Sequence, residues 1–454
     1  MRHLDMKDRD SAFLGHPTGL GWLAASEFWE RFSYYGMQAL LVLYATHYLL
    51  LPGHVEKVWG FVPFSHALQS LYGTLTPGAM ASVIFGWYAG LVYVTPLAGG
   101  LLADRLIGRT AAVVIGASLM ALGHFLMAFE ASFLLALLCL LIGVGCFKGN
   151  IAAQVGDLYA EGDHRRADAF QIYYIGIQLA GIVTPLVCGT LGETLGWHWG
   201  FGAAGVGMLL GLATYLIGRP SFPKERMRGG EVVRPPLTAR DKKAVALLVL
   251  LVPVFTCTLL GNQQMFNAYL VWGEKSLQTM LFGWRMPITW LLSVDGIASA
   301  VLMTATVLFW RWYARRWAEP DEIGKIAIGA MIAAFAPLLL AGASLTAARS
   351  GHPASLWWAI GFHIVNDIGV SNILPVALAL YSRAAPKGLE GMMIAVSYLA
   401  FFAGNLTVGW LGSLYEAMTP AGFWLLHAGL ILAGGLALFV IRRLAGNILA
   451  PAAP

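Results

Sequence analysis

"EFWERFSYYG", residues 27–36, sets Glu27, Glu30 and Arg31 inside the first long apolar stretch of the chain. On a helix, Glu27, Glu30, Arg31 and Tyr34 stand at i, i+3, i+4 and i+7 and share one face, with Glu27 one turn from Arg31. A single charge at the centre of a bilayer costs about 3 kcal/mol on insertion scales. That face must look into protein or a water-filled cavity. Two carboxylates around one guanidinium leave a spare negative charge, which can take up a proton or a substrate's charge and change its pairing. The competing reading is a buried ion pair that fixes helix packing.

Composition makes a bilayer the setting. Of 454 residues, 58% are hydrophobic and 12% charged, against about 25% charged in soluble domains. Twelve apolar stretches are long enough for a crossing of about 20 residues: 22–51, 77–103, 110–129, 131–157, 168–191, 198–218, 243–272, 287–312, 324–346, 354–382, 389–416 and 420–443. With the N-terminus placed in the cytoplasm, 23 of the 29 Lys and Arg residues fall in cytoplasmic segments. Lys57, Lys275, Arg285 and Arg349 fall outside. Excess cationic charge stays on the cytoplasmic side, so a multi-pass protein of the cytoplasmic (inner or plasma) membrane is expected, with both termini inside.

The formal net charge of +5 is spread through these loops rather than gathered beside base-stacking aromatics, so no nucleic acid partner is expected. Residues 1–21 carry charges but no signal-peptide core or cleavage site. Cys139, Cys146, Cys188 and Cys257 all lie in spans without ligand spacing, so neither a disulfide framework nor a metal site is expected.

The connector 219–242, "RPSFPKERMRGGEVVRPPLTARDK", combines Pro, Gly and charge. It reads as a cytoplasmic linker between bundles 22–218 and 243–443, with cytoplasmic ends 1–21 and 444–454. The expected fold is an all-α membrane protein of twelve transmembrane helices in two six-helix bundles. "GGLLADRLIGRT" (99–110) after the second span has a basic counterpart, "RWYARRWAEPDEIGK" (311–325), after the eighth; such correspondence suggests related halves, as in many transporters. Pro96, Pro185, Pro253 and Pro375 interrupt spans, which calls for kinks or backbone groups re-satisfied elsewhere.

The opening stretch matches every fixed position of ExxERFxYYG and so resembles the signature of the proton-dependent oligopeptide transporter family, within the major facilitator superfamily. "TPLAGGLLADRLIGRT" (95–110), "GVGCFKGNIAAQVGDLY" (143–159), "DHRRADAFQIYYIGIQLAG" (163–181), "APKGLEGMM" (385–393) and "GNL" (404–406) extend the resemblance over essentially the whole chain. It implies the major facilitator fold, proton coupling through Glu27, Glu30 and Arg31, and a peptide carboxylate facing Arg31 and Lys148. Lys148 stands out without it, as a mid-span ammonium among small residues; the alternative is a lysine that snorkels to the interface. The resemblance places Tyr35 and Tyr93 on the peptide cavity, with Tyr34, Tyr173 and Tyr174 as weaker candidates.

Several positions depart from the family pattern. Gln178 and Ala180 stand for an Asn and a Gly, and Asn262 before Gln263 stands where an acid is usual. Val370 replaces a Glu that meets the peptide amino group, and Ser397 replaces a Trp that shapes a side-chain pocket. Asp367, one turn before Val370 in the sense of a shared face, and Asp295 are additional intramembrane acids that can supply the missing charge, for the substrate's amino group or for a second proton. His363, four residues before Asp367, reads as a hydrogen-bonded histidine toward the outer interface, and His124 has no stronger claim.

The expected function is a proton-coupled symporter that imports di- and tripeptides by alternating access, as a monomer in the lipid bilayer, with protons as coupling ion and no other cofactor. The alternative is the same scaffold carrying another small solute: a modified peptide, an amino-acid conjugate or an anion. An intramembrane enzyme is disfavoured by the lack of HExxH, GxSxG and Cys/His metal spacing.

Overall fold

The structure, a computed structural model, describes residues 11–160, 162–223, 237–281 and 283–449. Expectations for residues 1–10, for 224–236 of the linker and for 450–454 of the tail lie outside the described residues.

The described chain is almost entirely helical. In order come α1 (Thr18–Tyr44), α2 (Phe61–Tyr72), α3 (Pro77–Leu102), α4 (Arg109–Leu126), α5 (Phe133–Asp157), α6 (Arg165–Thr184), α7 (Trp197–Gly218), α8 (Ala239–Gln264) and α9 (Ala268–Ser276). A two-residue ribbon, β1 (Met280–Leu281) with β2 (Trp284–Arg285), precedes α10 (Trp290–Tyr313), α11 (Glu322–Ala333), α12 (Phe335–Ser350), α13 (Trp357–Arg383), α14 (Glu390–Ser413) and α15 (Pro420–Leu449). Eleven crossings are long and apolar enough on their own, α11 and α12 together forming one of them. The charged α1 is the twelfth: its 27 residues exceed the length needed, and its three charges are all buried.

Two departures from the apolarity pattern matter. α2, with 12 residues, lies in the connection between the first two crossings and is too short to span about 30 Å of hydrocarbon. The seventh crossing, read as continuous over 243–272, is broken: α8 stops at Gln264, and α9 resumes at Ala268 after Asn267 leaves the helical region at φ −124°, ψ −114°. Among the prolines, Pro96, Pro253 and Pro375 sit within α-helix. After Pro185 the sixth element of the chain widens into π-turns, the local adjustment that re-satisfies freed backbone groups.

The chain divides into two compact units: unit 1, residues 1–66 and 94–229, and unit 2, residues 67–93 and 230–454. In unit 1, α1 packs along α6 and α7, and α4 packs along α5 and α7. Gly99 of α3 meets α5 so closely that a Cβ there would stand 2.0 Å from the carbonyl oxygen of Gly145. In unit 2, α13 packs against α10 and α11, and α8 and α11 pack against α15. A Cβ at Gly369 would stand 2.6 Å from the Gly329 carbonyl oxygen. Such small-residue seams let helices approach where lipid supplies no hydrophobic driving force between them.

Candidate functional site

In unit 1 the face of α1 foreseen from sequence is a closed charge cluster. Glu30 and Arg31 are 0% and 4% exposed. Arg31 donates from Nε to Glu30 Oε2 at 2.5 Å and from Nη2 to Oε1 at 2.7 Å, a two-point grip that fits the planar guanidinium. The pairing one turn away is also made, Arg31 Nε lying 3.1 Å from Glu27 Oε1. It is the longer contact, and Glu27 Oε2 is buried without a hydrogen-bond partner. The main partner is thus the adjacent residue, because a long side chain can fold back along its own turn.

Lys148 of α5 is half-buried and acts electrostatically on Arg31, Glu30 and Glu27. The spare negative charge expected of Glu27, Glu30 and Arg31 is therefore answered: with Lys148 the four groups carry formal charges that cancel. Tyr34 lies under Arg31, whose Cζ is 4.9 Å from the ring centroid. The buried Tyr173 faces Glu27, while the Tyr174 side chain is 56% exposed. Tyr35 and Gln178 are half-buried, and a Cβ at Gly181 on α6 would lie 3.7 Å from the Tyr35 ring. The structure therefore gathers Glu27, Glu30, Arg31, Lys148, Tyr34 and Tyr173, with Tyr35 further along α1 and Gln178 on α6.

Arg31→Lys tests the two-point grip. An ammonium keeps the charge but cannot span both Glu30 oxygens. Loss of one charge-assisted bond is expected to destabilise the protein by about 1–3 kcal/mol, read as a lower thermal midpoint; an unchanged midpoint would show that the fork geometry contributes nothing.

The remaining candidates lie in unit 2. Tyr93 stacks on Phe401 at 4.8 Å between ring centroids. Gln263 donates to the Asn262 side chain at 2.9 Å, so the two amides satisfy one another just before the helix break. Ser397 hydrogen bonds to its own helix at Ile394 and lines an apolar cleft of about 300 Å³, measured with its open mouth, together with Phe255, Leu259 and Phe401. Asp295 and Asp367 are 8% and 1% exposed and act on one another electrostatically. Asp367 Oδ2 has no hydrogen-bond partner.

One residue set aside by the sequence reading belongs beside these acids. His363 is not at an interface: it is 0% exposed, with Nδ1 2.9 Å from Asp295 Oδ1 and Nε2 2.9 Å from the Tyr269 hydroxyl. The signal available was the four-residue spacing to Asp367. His124, also buried, contacts Ser33 Oγ through Nε2 at 2.5 Å, which fixes α4 against α1.

Known proteins place this arrangement. A family model described as the POT family matches residues 110–238. The chain is 27% identical to the peptide transporter YePEPT of Yersinia enterocolitica, over 96% of each chain. It is 26% identical to a di-/tripeptide transporter of Lactococcus lactis subsp. cremoris, over 97% of this chain and 98% of that one. A crystal structure of a mutant peptide transporter POT in complex with alafosfalin superposes with a TM-score of 0.78 at 26% identity, over 98% of both chains. The chain is thus similar to the POT family over residues 110–238 and to peptide transporters along nearly its whole length. Its helices make it a multi-pass membrane protein, and the relatives it matches are transporters.

Proposed function

We propose that this protein is a proton-coupled symporter that imports di- and tripeptides by alternating access. The observation that carries the reading is the charge-balanced cluster of the buried Glu27, Glu30 and Arg31 with the half-buried Lys148. A proton arriving at Glu30 removes one negative charge and weakens both of its bonds to Arg31. Arg31 and Lys148 then hold surplus positive charge and attract the peptide's carboxylate. When the proton leaves, Glu30 recovers Arg31, and the peptide loses its counter-charge. Proton binding and peptide binding thus favour one another by exchange of partners, the physical content of coupling. Each proton contributes about 2.3 kcal/mol per 100 mV of membrane potential.

In this proposal Tyr35 and Gln178 within unit 1, and Tyr93 and Asn262 within unit 2, carry hydrogen-bonding groups and ring surface suited to a peptide, and Tyr34 and Tyr173 support the charged cluster. The cleft beside Ser397 offers apolar surface where a Trp would have filled it. The protein works as a monomer in the cytoplasmic membrane, with both termini in the cytoplasm and protons as its sole co-transported ion.

The test is uptake of a labelled dipeptide by liposomes holding the purified protein, under an inside-negative potential and an inward proton gradient. Accumulation that a protonophore abolishes is expected. Folded protein that accumulates no dipeptide, but does accumulate another solute under the same gradient, would overturn the substrate assignment.

A further inference from the structure

We infer that Asp295, His363 and Asp367, together with Tyr269, form a second proton-holding site, built wholly within unit 2. The inference rests on the reading of the protein as a proton-coupled carrier and assigns it a site that the first-helix cluster does not contain.

Three groups from three elements meet, Tyr269 from α9, Asp295 from α10 and His363 from α13, and Asp367, also from α13, lies within electrostatic reach of Asp295. The imidazole stands between the tyrosine hydroxyl and the Asp295 carboxylate, at 2.9 Å from each. A neutral ring donates from Nδ1 to Asp295 and accepts at Nε2 from Tyr269. A charged ring donates from both nitrogens, and the hydroxyl, which both donates and accepts, turns to receive. The ring can therefore gain or lose a proton without moving. Asp367, one turn along α13, leaves a buried carboxylate oxygen without a hydrogen-bond partner, and the charge acting on it is that of Asp295.

What neutralises these acids is the decisive question. Two carboxylates sharing a site cannot both stay ionised without a counter-charge. The other charged groups of the packed elements lie at helix ends and pair there: Arg383 of α13 with Glu322 of α11, Lys325 of α11 with Glu319, and Arg442 of α15 with Asp321. On α12 Arg349 falls in the last turn, on α10 Arg311 falls in the last turn, and on α8 Asp241 falls in the first. Glu390 opens α14. Arg240, Lys242 and Lys243 open α8, Glu274 and Lys275 close α9, and Arg443 adjoins Arg442. The remaining titratable groups are Cys257 on α8, Tyr313 on α10, Tyr381 on α13, which donates to the Leu248 carbonyl, Tyr398 on α14, near Tyr93, and the buried His427 on α15, whose Nδ1 meets the Phe423 carbonyl. Among the described residues no group of three acidic, His or Cys side chains is arranged to hold a metal. A proton is the cation that fits. It needs a hydrogen-bonded chain rather than an open pocket, and these groups are 0–8% exposed. The break between α8 and α9 lies immediately before Tyr269, and interrupted helices are how transporters build ion sites at membrane depth.

The test is infrared difference spectroscopy of the purified full-length protein, without peptide, across a pH titration. The carbonyl band of a protonated carboxylic acid is expected to be lost in Asp367→Asn or Asp295→Asn, and retained in Glu30→Gln. In His363→Gln its titration midpoint is expected to shift. Two aspartate variants guard against one failing to fold. A titrating band unchanged in both folded aspartate variants overturns the site, as does a band that responds to dipeptide and not to pH, which would give the acids to the peptide's amino group. Because no peptide is needed, a band that behaves as expected in protein that transports no peptide leaves this site standing and refutes the symport reading alone.

Discussion

Glu30→Gln is expected to abolish concentrative uptake of a labelled dipeptide while leaving exchange of peptide across equal concentrations. The amide keeps the shape of the side chain but cannot take up a proton. It also turns a donor toward one of the two Arg31 nitrogens that now meet acceptor oxygens at 2.5 and 2.7 Å. With Glu30 neutral, Arg31 and Lys148 hold the surplus positive charge permanently, so peptide still binds but is no longer tied to proton movement. One proton per cycle at 100 mV is worth about 2.3 kcal/mol, about a fifty-fold concentration ratio. The accumulation ratio should fall from that order to one. Glu27→Gln should do less: its contact to Arg31 is longer, at 3.1 Å, and its second oxygen has no partner to lose. Liposome accumulation and counterflow, measured on the same preparations, separate the two quantities. Undiminished accumulation by Glu30→Gln would remove Glu30 from the coupling path and shift attention to the acids of unit 2.

The fold was legible because a bilayer leaves few choices. Apolar runs had to be helices, and a charged run inside one had to face inward, as Glu27, Glu30 and Arg31 do. The helical spacing even named the shared face, though it overvalued the contact one turn away relative to the one between neighbours. Other features carried no local signal. The break at Met265–Asn267 has no Pro or Gly at its centre; it follows the polar run Asn262, Gln263 and Gln264, whose side chains compete with the backbone for hydrogen bonds. That His363 meets Asp295 is a tertiary fact: 68 residues separate them, and no periodicity within α10 or α13 says that those two helices pack. The same holds for Ser33 and His124, 91 residues apart. A histidine judged by its own helix looks peripheral; judged by its neighbours it lies between a phenol and a carboxylate.

Gly99→Leu is expected to prevent recovery of folded protein, whereas Gly100→Leu should be tolerated. A Cβ at Gly99 would stand 2.0 Å from the Gly145 carbonyl oxygen and 2.3 Å from its carbon, while one at Gly100 meets nothing within 4 Å. The obstacle at Gly99 is backbone inside a helix, which cannot swing aside as a side chain can. Ordinary overpacking costs about 1–3 kcal/mol, and here relief requires α3 and α5 to separate. Separation would also undo the seam at Gly145, where a Cβ would already lie 2.9 Å from Thr95. Lys148 follows Gly145 by three residues, on the same side of α5, so a displaced α5 would carry the ammonium away from Glu30 and unbalance the cluster. Size-exclusion profiles and thermal midpoints of the two variants, expressed alike, decide the matter. A monodisperse Gly99→Leu protein with the parental midpoint would mean that the close approach of α3 and α5 is not what holds Lys148 beside the first helix.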